Sequence, residues 1–232
     1  MAVSIDTVYQ RVLSVANKEQ RGYVTPQEFN LFANQAQMDI FEQYFYDLNQ
    51  FLRTPGNNTM HADMVDILEE KISVFEVTAN LALATNIGSL NALARFYRLS
   101  DVRSNNIQME SVSKKDFRLF LRSPLARPNA QRPIYTVDGI NNVIRIAGDN
   151  YANVTVEYIQ EPRRVNWTYV VVQGKALYNA NAVDNQDFDV HPSEEAELVL
   201  KILTLAGFTL KDQSLYQAAA AEDGKNIQQE KQ

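Results

Sequence analysis

The chain contains no cysteine. That absence excludes disulfide cross-links, thiolate nucleophiles, iron–sulfur clusters and cysteine-ligated zinc, and it fits a product of reducing cytoplasm. Histidine is almost as scarce. His61 and His191 are the two in the chain, far apart and without an i+4 partner or an H-E-x-x-H setting, so each is expected to cap an element or lie at the surface. No G-x-S-x-G marks a nucleophile elbow, and no G-x-x-x-x-G-K-[ST] or G-x-G-x-x-G marks a phosphate cradle. No run approaches the ~18 apolar residues of a membrane span. Met1-Ala-Val-Ser-Ile-Asp6 has neither the basic nor the apolar region of an export signal, so a protein neither embedded nor exported by that route is expected. Positive charge is also short: 22 Lys and Arg against 28 Asp and Glu leave a net charge of −6, which argues against nucleic acid as a direct ligand.

What is present is material for a folded chain. The 232 residues are 45% apolar and 22% charged, enough for one large domain or two small ones with a real core. The polar surplus is uncharged, with 21 Asn and 17 Gln. Such amides suit hydrogen-bonded contacts between subunits or plain surface solubility.

Helical signals dominate the first part. Ser4 or Asp6 can cap a short helix with the stripe Val8, Val12, Val15. Thr25-Pro26-Gln27-Glu28 is a capping box with proline at the first helical position, and the helix it opens is expected to run to about Leu52. One stripe of that helix is Phe29, Ala33, Ala36, Ile40, Tyr44, Leu48. A second, Leu31, Met38, Phe45, Leu52, repeats every seven residues on another face and has to be buried against the core or a neighbour. After the loop Thr54–Asn58 a helix is expected over about 62–71, followed by an apolar stretch to Ala84 in which helical and strand periods compete.

Strand signals follow. Phe96–Val102 and Ile107–Val112 read as strands joined by a turn at Ser104–Asn106, and Ser113 caps a short helix carrying Phe117, Leu119, Phe120 and Leu121. In Ser123-Pro-Leu-Ala-Arg-Pro128 and Arg132-Pro-Ile-Tyr135 the prolines force extended backbone. The strands Ile134–Val137, Val143–Ile146 and Val154–Ile159 come next, separated by turns at Asp138-Gly139 and Gly148–Asn150. A final helix opens near His191-Pro192, with Glu194, Glu195 and Glu197 at its positive end, the stripe Leu198, Ile202, Leu205, and Gly207 as its stop. Asp212 can cap a last helix that fades through Ala218–Ala221. The expected fold class is α+β, with helical N-terminal and C-terminal parts around a small antiparallel β insert. The expected division is a helical part over 1–91, a β-rich part with a proline-rich crossing over 92–188, C-terminal helices over 189–222 and a mobile tail over 223–232.

Few residues offer chemistry. Asp184-Asn-Gln-Asp-Phe-Asp189 alternates oxygen ligands but lacks the glycine and closing glutamate of a calcium loop, so a solvated edge or turn is expected. Arg118, Arg122, Arg127, Arg132, Arg163 and Arg164 cluster in the middle third, diluted by prolines and by Asp116 and Glu161. Pairing with carboxylates across subunits suits them better than DNA contact. Trp167, the single tryptophan, is placed in the core ahead of an interface. A carboxylate-based hydrolase would need paired acids that the sequence does not place.

Lys18-Glu-Gln-Arg-Gly-Tyr-Val-Thr-Pro-Gln-Glu-Phe-Asn-Leu-Phe-Ala33, the Ser123–Pro128 and Arg132–Tyr135 steps, Tyr158-Ile-Gln-Glu-Pro162 before Trp167, and Asp189-Val-His-Pro-Ser-Glu-Glu195 with Leu205-Ala-Gly-Phe208 resemble tailed-phage virion structural proteins of the head–tail connector type, as in marine podophages and crAss-like phages. The resemblance implies an adaptor or ring protein below the portal. It further implies a location in the virion neck after assembly in the host cytoplasm. The partners it implies are other copies of the chain in a ring of about twelve, the portal protein, downstream tail or ring proteins, and passing DNA without specific binding. It supplies no catalytic residue, no cofactor and no metal, and no membrane contact. The candidate interface residues are Leu31, Met38, Phe45 and Leu52 on the long helix, Arg127, Arg132, Arg163 and Arg164 in the middle third, and Leu215 and Tyr216 in the last helix. Another virion part, such as a tail-tube or collar ring protein, or a non-enzymatic binding module, are the alternatives.

Overall fold

Helix starts follow the capping chemistry of the sequence. In the computed structural model, which describes residues 3–18, 24–53, 59–104 and 106–209 without the side chains of 17–18, 51–64 and 208–209, Ser4 precedes α1 (Ile5–Lys18) and its Oγ accepts from the Thr7 N–H at 3.5 Å. The capping box forms in full at α2 (Pro26–Arg53). Glu28 N–H donates to Thr25 Oγ1 at 3.3 Å, while Thr25 N–H and Oγ1–H donate to Glu28 Oε2 at 3.0 and 2.8 Å. Those bonds hold the Glu28 carboxyl below the usual carboxylate range. Of the expected stripe, Phe29, Ala33, Ala36, Ile40 and Tyr44 are buried and Leu48 is half-buried. On α1, Val8 and Val12 are buried but Val15 turns outward, and Ile5, Tyr9 and Ala16 complete the face instead. α3 (Thr59–Ser73) is longer than expected at both ends.

The chain divides into two compact units, Met1–Val74 with Pro162–Gln232, and Phe75–Glu161, where boundaries near 91 and 188 were expected. The second unit begins by resolving the ambiguous apolar stretch as strands: β1 (Glu76–Ala82) and β2 (Ile87–Ser89). Then follow β3 (Phe96–Ser104), β4 (Ile107–Gln108), β5 (Glu110–Ser111), α4 (Lys114–Arg122), β6 (Ile134–Asp138), β7 (Val143–Ala147) and β8 (Asn153–Gln160). They form two four-stranded sheets, ordered β1-β8-β3-β4 and β2-β7-β6-β5. Leu81, Val102, Val154, Val156 and Tyr158 from the first share one core with Tyr135, Ile144 and Ile146 from the second, a small sandwich in which alternate residues of each strand face inward. The expected single strand 107–112 is split. Its first part pairs with β3, its second runs parallel to β6, and buried Met109, donating to Val102 O at 2.9 Å, carries the chain between sheets. Ser113 caps α4 as expected, accepting from Asp116 N–H at 3.2 Å. α4 lies on the outer face of the second sheet through Phe117, Phe120, Ile134 and Ala147, and Lys114 fastens it to Asp138 at 2.7 Å.

Back in the first unit come a hairpin, β9 (Tyr169–Val172) and β10 (Lys175–Tyr178), a short 3-10 turn at Pro192–Glu194, and α5 (Glu195–Thr209). The four helices of this unit pack through α2 against α3 and α5 and through α1 against α5. Leu198 and Ile202 are buried as expected and Leu205 is half-buried, but the helix continues through Gly207 to Thr209. A glycine ends a helix only where the backbone turns left-handed, and Gly207 is not among the residues of positive φ. The expected last helix, with Leu215 and Tyr216, lies outside the described residues.

The fold class is therefore corrected. Five helices and ten strands in three sheets are described, not a small antiparallel insert between helical ends. α4 belongs to the β unit, the β9–β10 hairpin belongs to the helical one, and one strand pair is parallel. The physical reason is that strand pairing beyond the hairpins is non-local: β1 finds its partner in β8, joined residue for residue from Glu76↔Ile159 to Ala82↔Asn153.

The returning chain is held by side-chain amides. Asn30, Asn34 and Gln37 lie on one face of α2 at i, i+4, i+7, and each meets alternate residues of the extended segment Arg163–Trp167. Trp167 N–H donates to Asn30 Oδ1 at 2.8 Å and Asn30 Nδ2 donates to Trp167 O at 3.2 Å. Val165 repeats the pattern with Asn34 at 3.0 and 2.9 Å. Gln37 Nε2 donates to Arg163 O at 2.7 Å, while its Oε1 accepts from Asp189 N–H at 3.0 Å. Gln37 is 1% exposed, so neither backbone partner has water in reserve. Gln37→Leu keeps the volume but strands both groups, and is expected to destabilise the first unit by about 2–4 kcal/mol, read as a lower urea midpoint at unchanged slope.

Candidate interaction surfaces

The residues singled out in the sequence meet different fates. On α2, Leu31 is 69% exposed. Met38 and Phe45 are half-buried, and Phe45 packs edge-on against Phe41 at 5.0 Å between ring centres. The side chain of Leu52 lies outside the described residues. Arg163 is engaged within the chain: its Nε and NH2 donate to Asp189 at 2.9 and 2.6 Å, and its N–H donates to Asp189 Oδ2 at 2.8 Å. Arg164 is exposed. Arg127 and Arg132 belong to the second unit, and Arg132 reaches Glu110 only at 4.0 Å.

The acidic run 184–189 is dispersed into separate structural tasks. Asp184 accepts from Asn166, Asp187 accepts from the Ile5 N–H at 2.9 Å, and Asp189 holds Arg163. Among the described residues no group of three or more His, Asp or Glu is placed to hold a metal. His191 caps the 3-10 turn, its Nδ1 accepting from Ser193 N–H at 3.3 Å. Trp167 is a core residue, 2% exposed. Its Nε1–H donates to Asp6 Oδ1 at 3.0 Å, and its ring sits between Tyr9 and the stacked rings of Tyr169 and Tyr178.

Paired acids do occur, in a buried network the sequence did not disclose because its members come from four elements. Lys71 of α3 reaches Glu194 at 2.7 Å and lies over the Tyr44 ring, while Lys201 bridges Glu197 at 3.4 Å and Gln43 at 3.2 Å. Burial alone would push the Glu194 carboxyl up, but the hydrogen bond with Glu197 and the Lys71 ammonium outweigh it and hold the group below 4.5. With Glu194 only 3% exposed, this network reads as a fastening between helices.

The β9–β10 hairpin also went unread, although Val170-Val-Val-Gln-Gly-Lys175 carries its signal. Gln173 and Gly174 both have positive φ, 49° and 77°, as the two-residue turn that suits twisted strands requires. One face, with Tyr169 and Tyr178, stacks on Trp167. On the other, Val170 and Leu177 sit opposite each other and Val172 beside them, each about half exposed. Among the described residues the hairpin is a two-stranded sheet, with no further strand on either outer edge.

In the second unit, a cleft of about 400 Å³ opens between α4 and the second sheet. Ile87, Phe117 and Leu121 make its apolar wall, and Arg127 and Arg145 stand at it. Among the lining residues Gly148 has φ 152°, and a Cβ there would meet Asn129 O at 2.8 Å. Of the candidate arginines, Arg127 faces this cleft and Arg132 an adjoining hollow.

The Glu194 network generates a pH test. A carboxyl held down in the folded state contributes stability above its unfolded value and loses it as the pH falls through its folded one. Stability is therefore expected to decline below about pH 4.5, and Glu194→Gln should flatten that limb. Lys71→Met, which leaves Glu194 buried and unpaired, should cost about 3–5 kcal/mol at neutral pH, read by thermal unfolding across the pH range.

No protein-family model matches the chain, and no curated protein matches it significantly in sequence.

Proposed function

We propose that the chain is a non-catalytic assembly subunit of a tailed-phage virion: an adaptor that repeats as a ring below the portal and joins it to the tail. The observation that carries this reading is the β9–β10 hairpin, which offers a half-exposed apolar face of Val170, Val172 and Leu177 and, among the described residues, two edges that no further strand pairs. A two-stranded hairpin is marginal by itself, and exposed apolar edges are a liability that folded proteins ordinarily blunt. A neighbour that covers this face or adds a strand to an edge removes the liability and gains main-chain hydrogen bonds. Leu31, 69% exposed on α2, is a further apolar group open to neighbours. Around a ring, the net charge of −6 per copy disfavours adhesion of DNA passing through it.

Purified chain mixed with its portal is expected to give discrete multi-subunit rings by mass photometry, and reconstruction of the neck by electron cryomicroscopy to show one copy per ring position. Val170→Lys with Leu177→Lys should leave the monomer's circular dichroism unchanged and its melting shifted only slightly, because both sites are half exposed, while abolishing the rings. A chain that stays monomeric at all concentrations with the portal present would overturn the reading.

A further inference from the structure

Charge is divided unequally between the two units. Phe75–Glu161 carries ten Lys and Arg against eight Asp and Glu, a net +2, while the remainder carries twelve against twenty, a net −8. Within the second unit the excess is concentrated over 114–145, where seven cations face Asp116 and Asp138. Lys114 is neutralised by Asp138 at 2.7 Å. Arg127 and Arg145, at the cleft, make no hydrogen bond or ion pair among the described residues. Asp149 also lines the cleft and accepts from the Asn150 N–H at 2.8 Å, which leaves two guanidiniums against one carboxylate there. Two guanidiniums beside an apolar wall suit a ligand that brings carboxylates and aliphatic groups together.

The first unit carries a surface of that composition. On the last two turns of α3 and just beyond, Ile67, Glu70 and Val74 fall at i, i+3, i+7, with Asp66 one turn before Glu70. Ile67 and Val74 are 45% and 47% exposed, and both carboxylates are exposed. Resting on the ring reading above, we infer that the Arg127–Arg145 cleft of one copy receives the Asp66–Val74 face of α3 from a second copy. The two patches differ, so the contact is heterologous, and a heterologous contact repeated from copy to copy closes into a ring when its rotation permits. Aliphatic contact against Ile87 and Leu121, both exposed in the cleft, supplies burial, and the carboxylate–guanidinium pairs fix which patch meets which.

Charge reversal on either side tests this directly. Arg127→Glu with Arg145→Glu, and separately Asp66→Arg with Glu70→Arg, should each weaken self-association by about 100-fold or more in sedimentation at low salt. An equimolar mixture of the two variants should regain it, because every cleft then faces an α3 of opposite charge. A fold defect would not be rescued by mixing, and circular dichroism of each variant alone checks the fold. The chain's lack of cysteine permits a second readout. Ile67→Cys with Leu121→Cys in one chain should give a ladder of cross-linked copies with a short bismaleimide, whereas mixed single variants should stop at dimers. If the unaltered chain assembles and both charge variants assemble equally well, this contact is overturned and the ring reading stands. If the unaltered chain never associates, alone or with its portal, both fall. A monomer that instead binds a short DNA duplex, and loses it on Arg127→Glu with Arg145→Glu, reassigns the cleft to nucleic acid and overturns the proposal.

Discussion

The first unit depends on a ladder made of side chains. Asn30, Asn34 and Gln37 present amides along α2 much as a strand presents its backbone: Trp167 and Val165 bind Asn30 and Asn34 with the reciprocal donor and acceptor pattern of a sheet edge, and Gln37 joins Arg163 O to Asp189 N–H. The constraint behind it is connectivity. The chain leaves this unit at Val74 and returns at Pro162, so its later elements must be recaptured after a long excursion. The excursion is closed at its own base, where Gln160 N–H donates to Phe75 O at 2.9 Å and β1 pairs with β8 from that point. The ladder then catches the chain at its next residues. Once Arg163–Trp167 is fixed, Trp167 can enter the aromatic cluster, Asp189 can meet Arg163, and α5 can follow in place. Burial makes Gln37 above all expensive to lose, because a backbone group pulled from its partner in the interior has no water to turn to.

The same ladder explains what the sequence disclosed and what it hid. Signals acting within one turn of chain were legible. The Thr25–Glu28 box, the Ser113 cap, the buried stripe of α2 and strands β6 to β8 depend on neighbours a few residues away. The amide surplus was equally visible but ambiguous, because an asparagine that faces solvent and one that pairs with a residue about 130 positions away look identical in sequence. Three of those amides are internal fasteners rather than surface or inter-subunit groups. Fold class failed for a related reason. Phe75–Ala84 is a short apolar run whose strand character is decided by a distant partner, β8, and the crossing at Met109 between two sheets has no local mark.

The candidate site divides in the same way. Arg127 and Arg163 are both exposed-looking arginines beside prolines, and nothing local separates them. Asp189, 26 residues on, satisfies one and leaves the other available at an apolar cleft. Leu31 and Phe45 shared a heptad, yet a helix turning at 3.6 residues carries a seven-residue repeat gradually around its face, and only the first is well exposed. The Glu194–Lys71 pair needed α3, α5 and the intervening turn to be assembled before its members met.

These surfaces also differ in the physics they contribute to association. The valine and leucine face of the hairpin offers area, and burying it is favourable with little regard to angle. By itself such a face would join copies in many arrangements. The cleft arginines and the acids of α3 offer the complement: modest net energy, because each charge must shed water on pairing, but a steep penalty for wrong register, where like charges would meet. A ring that must close needs both kinds of contact, since area without direction gives aggregates and direction without area gives contacts too weak to persist. In the proposed assembly the net +2 and −8 of the two units give each copy two unlike, complementary patches, the minimum that head-to-tail closure requires.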